Sequence, residues 1–435
     1  MKEEVNVGLL GLGVVGSAVA GALLEKEAMI AGRVGCPVRL RKVLVRHAGK
    51  ERAVSPSMLT LDPSTVLDDP EIDIVVELMG GEKPAHDYLL RAIQKGKQVV
   101  TANKEVMAKF GPEIMDAAST MGVDVAFEAS VGGGIPVVGP FRLDLLANNI
   151  QQITAIINGT TNYILSRMAK EGIDFDAALK AAQSRGYAEP DPRNDVEGID
   201  AAYKLAILAT LGFHARVRPE DIFTEGITKL TAQDFRYAAE LGYTIKLLAI
   251  AREVDGQIEA RVHPAFVPLD HTLASVNGVF NAVHILGDLV GPVMFYGRGA
   301  GPGPTSSAVV ADIIDLAQRL HSGSVMRPPV PLEKTKRLRP VEDVESRYYL
   351  RLQVVNRPGV FAQITRVLGE AEISLASVIQ KSETDSGRIA EVVLTTYEAT
   401  EAAMRVALRA LSALPVIEEV SNVIRVEDTS RPARN

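Results

Sequence analysis

The 435-residue chain contains one cysteine, Cys36, so it forms no disulfide within itself and no metal site built from several thiolates. That scarcity fits a reducing compartment. Basic tracts are also missing. The formal charge is −7, with no cluster of Lys and Arg and no ladder of stacking aromatics, which argues against a nucleic-acid surface. No stretch approaches the ~20 uninterrupted apolar residues of a membrane span. Met1 is followed by Lys2, Glu3 and Glu4 and then by an apolar segment of about six residues, shorter than a signal-peptide core. A cytoplasmic protein with no nucleic-acid or membrane partner is expected. No long-period repeat is present.

What is there is core-forming material: 47% of the residues are hydrophobic, which sets dominant disorder aside and leaves small molecules as the expected partners. The length is a soft prior for about three domains. Val5 to Leu10 reads as a buried strand and Val14 to Leu24 as a helix. Further strands are expected at Arg39 to Arg46, Ile72 to Leu78 and Gln98 to Thr101, with helical stretches such as Pro84 to Lys95 between them. Strands alternating with helices imply α/β architecture with a parallel sheet. From about residue 150 the pattern changes to a mixed α/β region, with a strand at Ile153 to Ile157 and helices at Asn162 to Glu171, Asp174 to Ser184 and Gly198 to Leu211.

Residues 333–346 are rich in charge, with Pro340 among them, and read as a linker. The following segment, 347–428, reads βαββαβ: strands Tyr349 to Val355, Ser374 to Lys381, Ile389 to Thr396 and Val420 to Val426, helices Gly359 to Ala371 and Glu401 to Leu411. This is a ferredoxin-like order, expected as a separate compact domain. The expected organisation is thus a Rossmann-type domain over 1–130, completed by 300–325, then a mixed α/β domain over 131–299, the linker, and the tail.

Gly11-Leu12-Gly13-Val14-Val15-Gly16 matches G-x-G-x-x-G, whose glycines permit a tight turn, close approach of a pyrophosphate and close strand–helix packing. Alone such a match is weak, but here it lies between a strand and a helix. An NAD site usually places an acidic residue about 20 residues later, at the end of the second strand. This strand ends instead in Arg46-His47, with Lys50 and Arg52 beyond. A guanidinium suits a 2′-phosphate, so NADP is favoured over NAD, against the alternative of a solvated basic loop.

Val99 to Lys104 is a strand ending in polar residues and a lysine, where ligands of open α/β sheets gather. Asp200 and Lys204 stand at i and i+4 of an otherwise almost apolar helix and so share one face. A structural ion pair is one explanation; buried pairs are weak stabilising devices, so function is the better one. Glu189-Pro190-Asp191-Pro192 and Asp195 lead into that helix. These acids and Lys204 suit either a cationic, hydroxyl-bearing substrate or a divalent cation.

GLGVVG, VVTANKE at 99–105, EASVGGGIP at 128–136, INGTTNYIL at 157–165, GYAEPDPRNDVEGIDAAYKLAIL at 186–208 and GRGAGPGPTSSAVVAD at 297–312 together resemble the homoserine dehydrogenases, over roughly the first 325 residues. The resemblance implies NAD(P)-dependent interconversion of L-homoserine and L-aspartate 4-semialdehyde, in the branch leading to threonine, methionine and isoleucine. It assigns Lys204 as proton donor and acceptor, with Lys104 near cofactor and substrate. It makes Glu189 and Asp200 substrate-binding acids, gives Asp195 a supporting role, and makes Gly301 a cofactor contact. Glu128 with the carbonyls of Val131, Gly133 and Ile135 would hold a monovalent cation, sodium; a plain glycine hinge is the alternative. The tail, with Asn356-Arg357-Pro358-Gly359 and Ile373 to Gln380, resembles the ACT domain. That resemblance implies L-threonine as a feedback effector, or else a purely structural dimerisation module; a homodimer or homotetramer is expected.

Three rivals stand beside this reading. A phosphorylating semialdehyde dehydrogenase needs a nucleophilic thiolate, yet Cys36 lies outside every chemical block. Another Rossmann-plus-ACT oxidoreductase, such as a prephenate or phosphoglycerate dehydrogenase, would rely on a histidine, and the seven histidines fall outside the strongest blocks. A non-catalytic NADP-binding amino-acid sensor would have no need of Lys104 and Lys204.

Overall fold

The computed structural model describes residues 2–47, 54–324, 327, 332, 336–383 and 388–427. Lys50 and Arg52, residues 325, 333–335 and 428 of the expected boundaries, and Lys334 among them lie outside the described residues. The chain divides into two compact units: Met1–Ile153 with Ala202–Ile222 and Phe280–Thr335, and Thr154–Ala201 with Phe223–Val279 and Lys336–Asn435.

In the first unit, six parallel strands stand in the order Leu59–Thr60, Val38–Leu44, Val5–Leu10, Ile74–Glu77, Gln98–Thr101, Val125–Ala126. The order reverses between Val5–Leu10 and Ile74–Glu77, the switch point at which a doubly wound sheet opens a crevice at its carboxyl edge. Both strands read as near-continuous apolar runs because helices cover both faces; Val5, Val7, Leu9, Ile74 and Val76 are all fully buried. The helix Pro302–Ser322 returns to this core through Val309, Ile313, Leu316 and Ala317. It has proline at its first position and left-handed Gly323 just past its end, as helix boundaries favour.

In the second unit, Tyr243–Val254 and Gln257–Pro268 form a long antiparallel hairpin. Its two-residue turn, Asp255-Gly256, has φ of 50° and 73°, the left-handed pair that matches the twist of the flanking strands. The βαββαβ tail is present as Glu345–Val355, Val360–Glu370, Leu375–Glu383, Ile389–Thr396, Glu401–Ser412 and Ile417–Val426. Its sheet order puts Ile417–Val426 first, then Glu345–Val355, Ile389–Thr396 and Leu375–Glu383, all antiparallel.

The tail does not stand apart as expected. Arg425 and Val426 pair in parallel with Ala265 and Phe266 of the hairpin. The stretch read as a linker is also structured: Arg337–Leu338 pairs with Gln257 and Ile258, and Glu345 already opens the first tail strand. Charge and proline hid this because an edge pairing of two residues leaves no periodicity to read. No helix among the described residues is long and apolar enough to cross a membrane.

Candidate active site

The crevice at the switch point is a cavity of about 620 Å³, lined by Gly11, Leu12 and Gly13, by Arg46 and His47, and by Leu78, Met79 and Tyr88 among others. Each glycine of the turn has its own reason. Gly11 has φ of 98°, and a Cβ there would sit 2.9 Å from the Leu78 carbonyl oxygen. At Gly16 a Cβ would fall 2.2 Å from the Gly11 carbonyl oxygen, so only glycine lets the helix Val14–Glu25 start so close to the strand. A Cβ on Gly13 would meet nothing within 4 Å; this glycine faces the cavity, where bare backbone admits a ligand. The helix begins with no side-chain cap, leaving its first N–H groups and the positive end of its dipole for an anion such as a pyrophosphate.

The second strand ends at Leu44 rather than at Arg46, so Arg46 and His47 lie in the loop beyond it, exposed and on the cavity wall. No carboxylate is among the described residues lining the cavity. Val14, Val15, Gly16, Lys104 and Gly301 are not lining residues; Gly301 has φ of 119° and caps the helix Pro302–Ser322.

Lys104 is the first residue of the helix Lys104–Met121, and Asn103 caps it by accepting from the Val106 N–H at 3.2 Å. Lys204 lies on the helix Ile199–Gly212, only 9% exposed, one turn beyond Asp200, which is 3% exposed. In the second unit, the amide of Asn158 donates to Asp195 at 2.6 Å and to Asp200 at 2.9 Å. Its oxygen accepts from the Thr161 N–H at 2.9 Å and so caps the helix Gly159–Glu171. Both amide hydrogens and the oxygen of Asn158 are thus spent on holding two carboxylates at a helix start.

Glu189 is exposed and takes no part in that contact. Asp191 pairs with Arg193 at 2.6 Å, which holds its carboxyl below the usual range. Among the described residues no group of three or more His, Cys, Asp or Glu side chains forms a metal site, so the divalent-cation alternative finds no ligand cluster.

The glycine loop after Glu128 departs from expectation in one respect. The Glu128 carboxylate does not turn to the loop carbonyls; it accepts from the main-chain N–H groups of Val137, Val138 and Gly139 at 2.6, 2.9 and 2.6 Å. These unpaired amides at the start of the helix Val138–Arg142 attract it more strongly than a loop of carbonyl oxygens. Gly133 and Gly134 serve close packing: a Cβ on either would come within 2.8 Å of Gly299 or Pro304. Asp312 beside this loop accepts from the Glu128 N–H at 3.0 Å, and burial pushes its carboxyl up to about 8.

Comparison with known proteins decides the family. The profile for homoserine dehydrogenase matches residues 136–314, and that for the homoserine dehydrogenase NAD-binding domain matches residues 11–128. The homoserine dehydrogenase of Synechocystis is 46% identical over 435 residues, covering 97% of this chain and 99% of its own. The chain belongs to the homoserine dehydrogenases. The Bacillus subtilis homoserine dehydrogenase is 40% identical, with 98% and 99% of the two chains covered. The solved homoserine dehydrogenase from Thiobacillus denitrificans has a TM-score of 0.92 at 45% identity, covering 98% of each chain. A hyperthermophilic archaeal homoserine dehydrogenase, solved in complex with NADPH, has a TM-score of 0.62 at 29% identity over 73% of this chain and 98% of that one. The ACT-domain profile matches residues 348–416.

Two residues of the chain's site region are not singled out by the sequence reading. Asn158 was legible as an N-cap, since Asn-Gly-Thr-Thr opens a helix, but its two carboxylate partners lie 37 and 42 residues away. Glu77, a charge closing a wholly apolar strand, has a fully buried side chain.

Proposed function

We propose that this chain interconverts L-homoserine and L-aspartate 4-semialdehyde with NADPH as the preferred carrier, in the branch leading to threonine, methionine and isoleucine. The observation that carries the reading is a buried lysine, Lys204, one helical turn from a carboxylate anchored by Asn158. The bound nicotinamide supplies or takes the hydride. Lys204 gives a proton to the carbonyl oxygen as the semialdehyde is reduced and recovers it in the reverse direction. Lys104 polarises the same oxygen, while Asp200 and Glu189, with support from Asp195, suit the ammonium group of the amino acid.

Arg46, at a cavity wall with no carboxylate among its described residues, supports NADP, since a guanidinium meets a 2′-phosphate with charge-assisted hydrogen bonds. Val14, Val15, Gly16 and Gly301 complete the cofactor turn in this reading. Glu128 and the main-chain carbonyls of Val131, Gly133 and Ile135 would hold a sodium ion, whose part would be structural. L-Threonine binds the ACT module and lowers activity, and the enzyme works in the cytoplasm as a homodimer or homotetramer.

The test is oxidation of NADPH and NADH with L-aspartate 4-semialdehyde, with and without threonine, by wild type and Arg46→Ala. Wild type turns over faster with NADPH, and Arg46→Ala reduces that preference about tenfold or more, the worth of a charged hydrogen bond. Pure, folded protein without turnover refutes the enzyme reading and favours the sensor. An NADPH preference untouched in Arg46→Ala refutes the 2′-phosphate assignment, and turnover indifferent to threonine removes that effector.

A further inference from the structure

Glu77 ends the strand Ile74–Glu77 at the switch point, and its side chain is fully buried among neutral donors. Its Oε1 accepts from the main-chain N–H groups of Met79 and Gly80 at 2.7 and 3.3 Å, and its Oε2 accepts from the Thr101 hydroxyl at 2.7 Å. Burying a carboxylate without a cation costs stability, and burial raises the Glu77 carboxyl above its ordinary range. Packing alone would favour an apolar side chain here.

The donors belong to the two loops that matter. Met79 walls the dinucleotide cavity. Thr101 ends the neighbouring strand, and its oxygen accepts from the Asn103 N–H at 3.0 Å. The Asn103 amide then donates to the Gly81 carbonyl, in the loop after the neighbouring strand, at 2.8 Å, while its oxygen caps the helix that begins at Lys104. The result is a closed ring, Glu77 to Thr101 to Asn103 to the loop after Glu77, with Lys104 attached at its rim.

We propose that Glu77 is a positioning residue: through Thr101 and Asn103 it sets where Lys104 presents its amine, and through Met79 and Gly80 it holds the cavity wall. This rests on the proposed role of Lys104. A carboxylate suits the task because it accepts all these hydrogen bonds at once and donates none. Glutamine is the same size but turns an NH2 group against donors.

The test compares Glu77→Gln, Thr101→Val, Thr101→Ser and Lys104→Met in the full-length enzyme. For each, kcat, KM, NADPH affinity by fluorescence, thermal midpoint and the primary isotope effect with C4-deuterated NADPH are measured. Misplacement of a reacting group by about 1 Å costs up to about 100-fold, so Thr101→Val is expected to lower kcat by about 10–100-fold while NADPH affinity holds. The isotope effect rises as hydride transfer becomes limiting. Thr101→Ser, which restores the hydroxyl, recovers most of the rate, and Glu77→Gln loses both rate and NADPH affinity.

Folded Thr101→Val with wild-type kcat and isotope effect overturns the proposal. So does a lower thermal midpoint in Glu77→Gln with unchanged kcat, which marks a merely structural residue. If Glu77→Gln does not fold, the threonine pair decides alone. Wild-type turnover in Lys104→Met would overturn the role of Lys104 and this proposal with it; an inactive Lys104→Met beside a wild-type Thr101→Val sinks only the positioning role.

Discussion

Replacing Lys204 by methionine is expected to lower kcat for semialdehyde reduction by about three orders of magnitude, within the range for loss of a general acid, while the protein stays folded and still binds NADPH. The size follows from burial. Lys204 is 9% exposed on a helix whose other residues after Asp200 are apolar or small, apart from Tyr203 and Thr210, so water cannot readily take its place as proton donor. Methionine fills nearly the same volume without a charge, so the variant removes the amine with little change in packing. If Lys204 served structure alone, Lys204→Met would keep its rate and lower its thermal midpoint, because Asp200 would lose a buried neighbour of opposite charge. Steady-state kinetics beside a melting curve separates the two, and turnover within tenfold of wild type would falsify the proton-transfer role.

The second large effect is on stability. Asp234 is fully buried in the second unit and accepts from Arg351 Nε and Asn422 Nδ2 at 2.8 Å each, from the Thr231 N–H at 3.0 Å, from its hydroxyl at 2.9 Å and from the Tyr349 hydroxyl at 3.3 Å. Arg351 also reaches Glu391 at 3.2 Å. Burial, with the Asp234 carboxylate beside it, pushes the Tyr349 hydroxyl well above its ordinary range. Removing one member of a buried pair leaves the other uncompensated, so Arg351→Met is expected to cost about 3–5 kcal/mol.

The double variant Asp234→Asn with Arg351→Met should recover part of that loss, because the fully buried carboxylate is then neutral and only the partly exposed Glu391 is left without its arginine. Urea unfolding of the wild type, both single variants and the double variant measures the coupling. A loss below about 1 kcal/mol in Arg351→Met would place the pair among weak surface contacts.

This network bears on organisation as well as stability. Asp234 belongs to the helix Ala232–Glu240, while Arg351, Glu391 and Asn422 come from three strands of the ACT module. The helix start itself is ordinary: Thr231 and Asp234 form a reciprocal capping box, legible locally as Thr-x-x-Asp. What sequence alone does not reveal is that the capping carboxylate also takes an arginine 117 residues later.

The glycine turn, the parallel strands and the βαββαβ tail were readable in the chain because each rests on interactions between near neighbours. Apolar runs mark strands buried on both faces, Gly11 and Gly16 answer steric demands within one turn, and Asp200 and Lys204 share a helix face by spacing alone. The family blocks then pointed to the reaction.

Tertiary structure decided what those groups touch. It joined Asp195 to Asp200 through Asn158, turned the Glu128 carboxylate from its own loop to a helix start, tied the tail to its neighbours through Asp234, and closed the ring at Glu77. A hydrogen bond or ion pair depends on the approach of two atoms within about 3 Å. That approach is set by how whole elements pack, so no local pattern announces it.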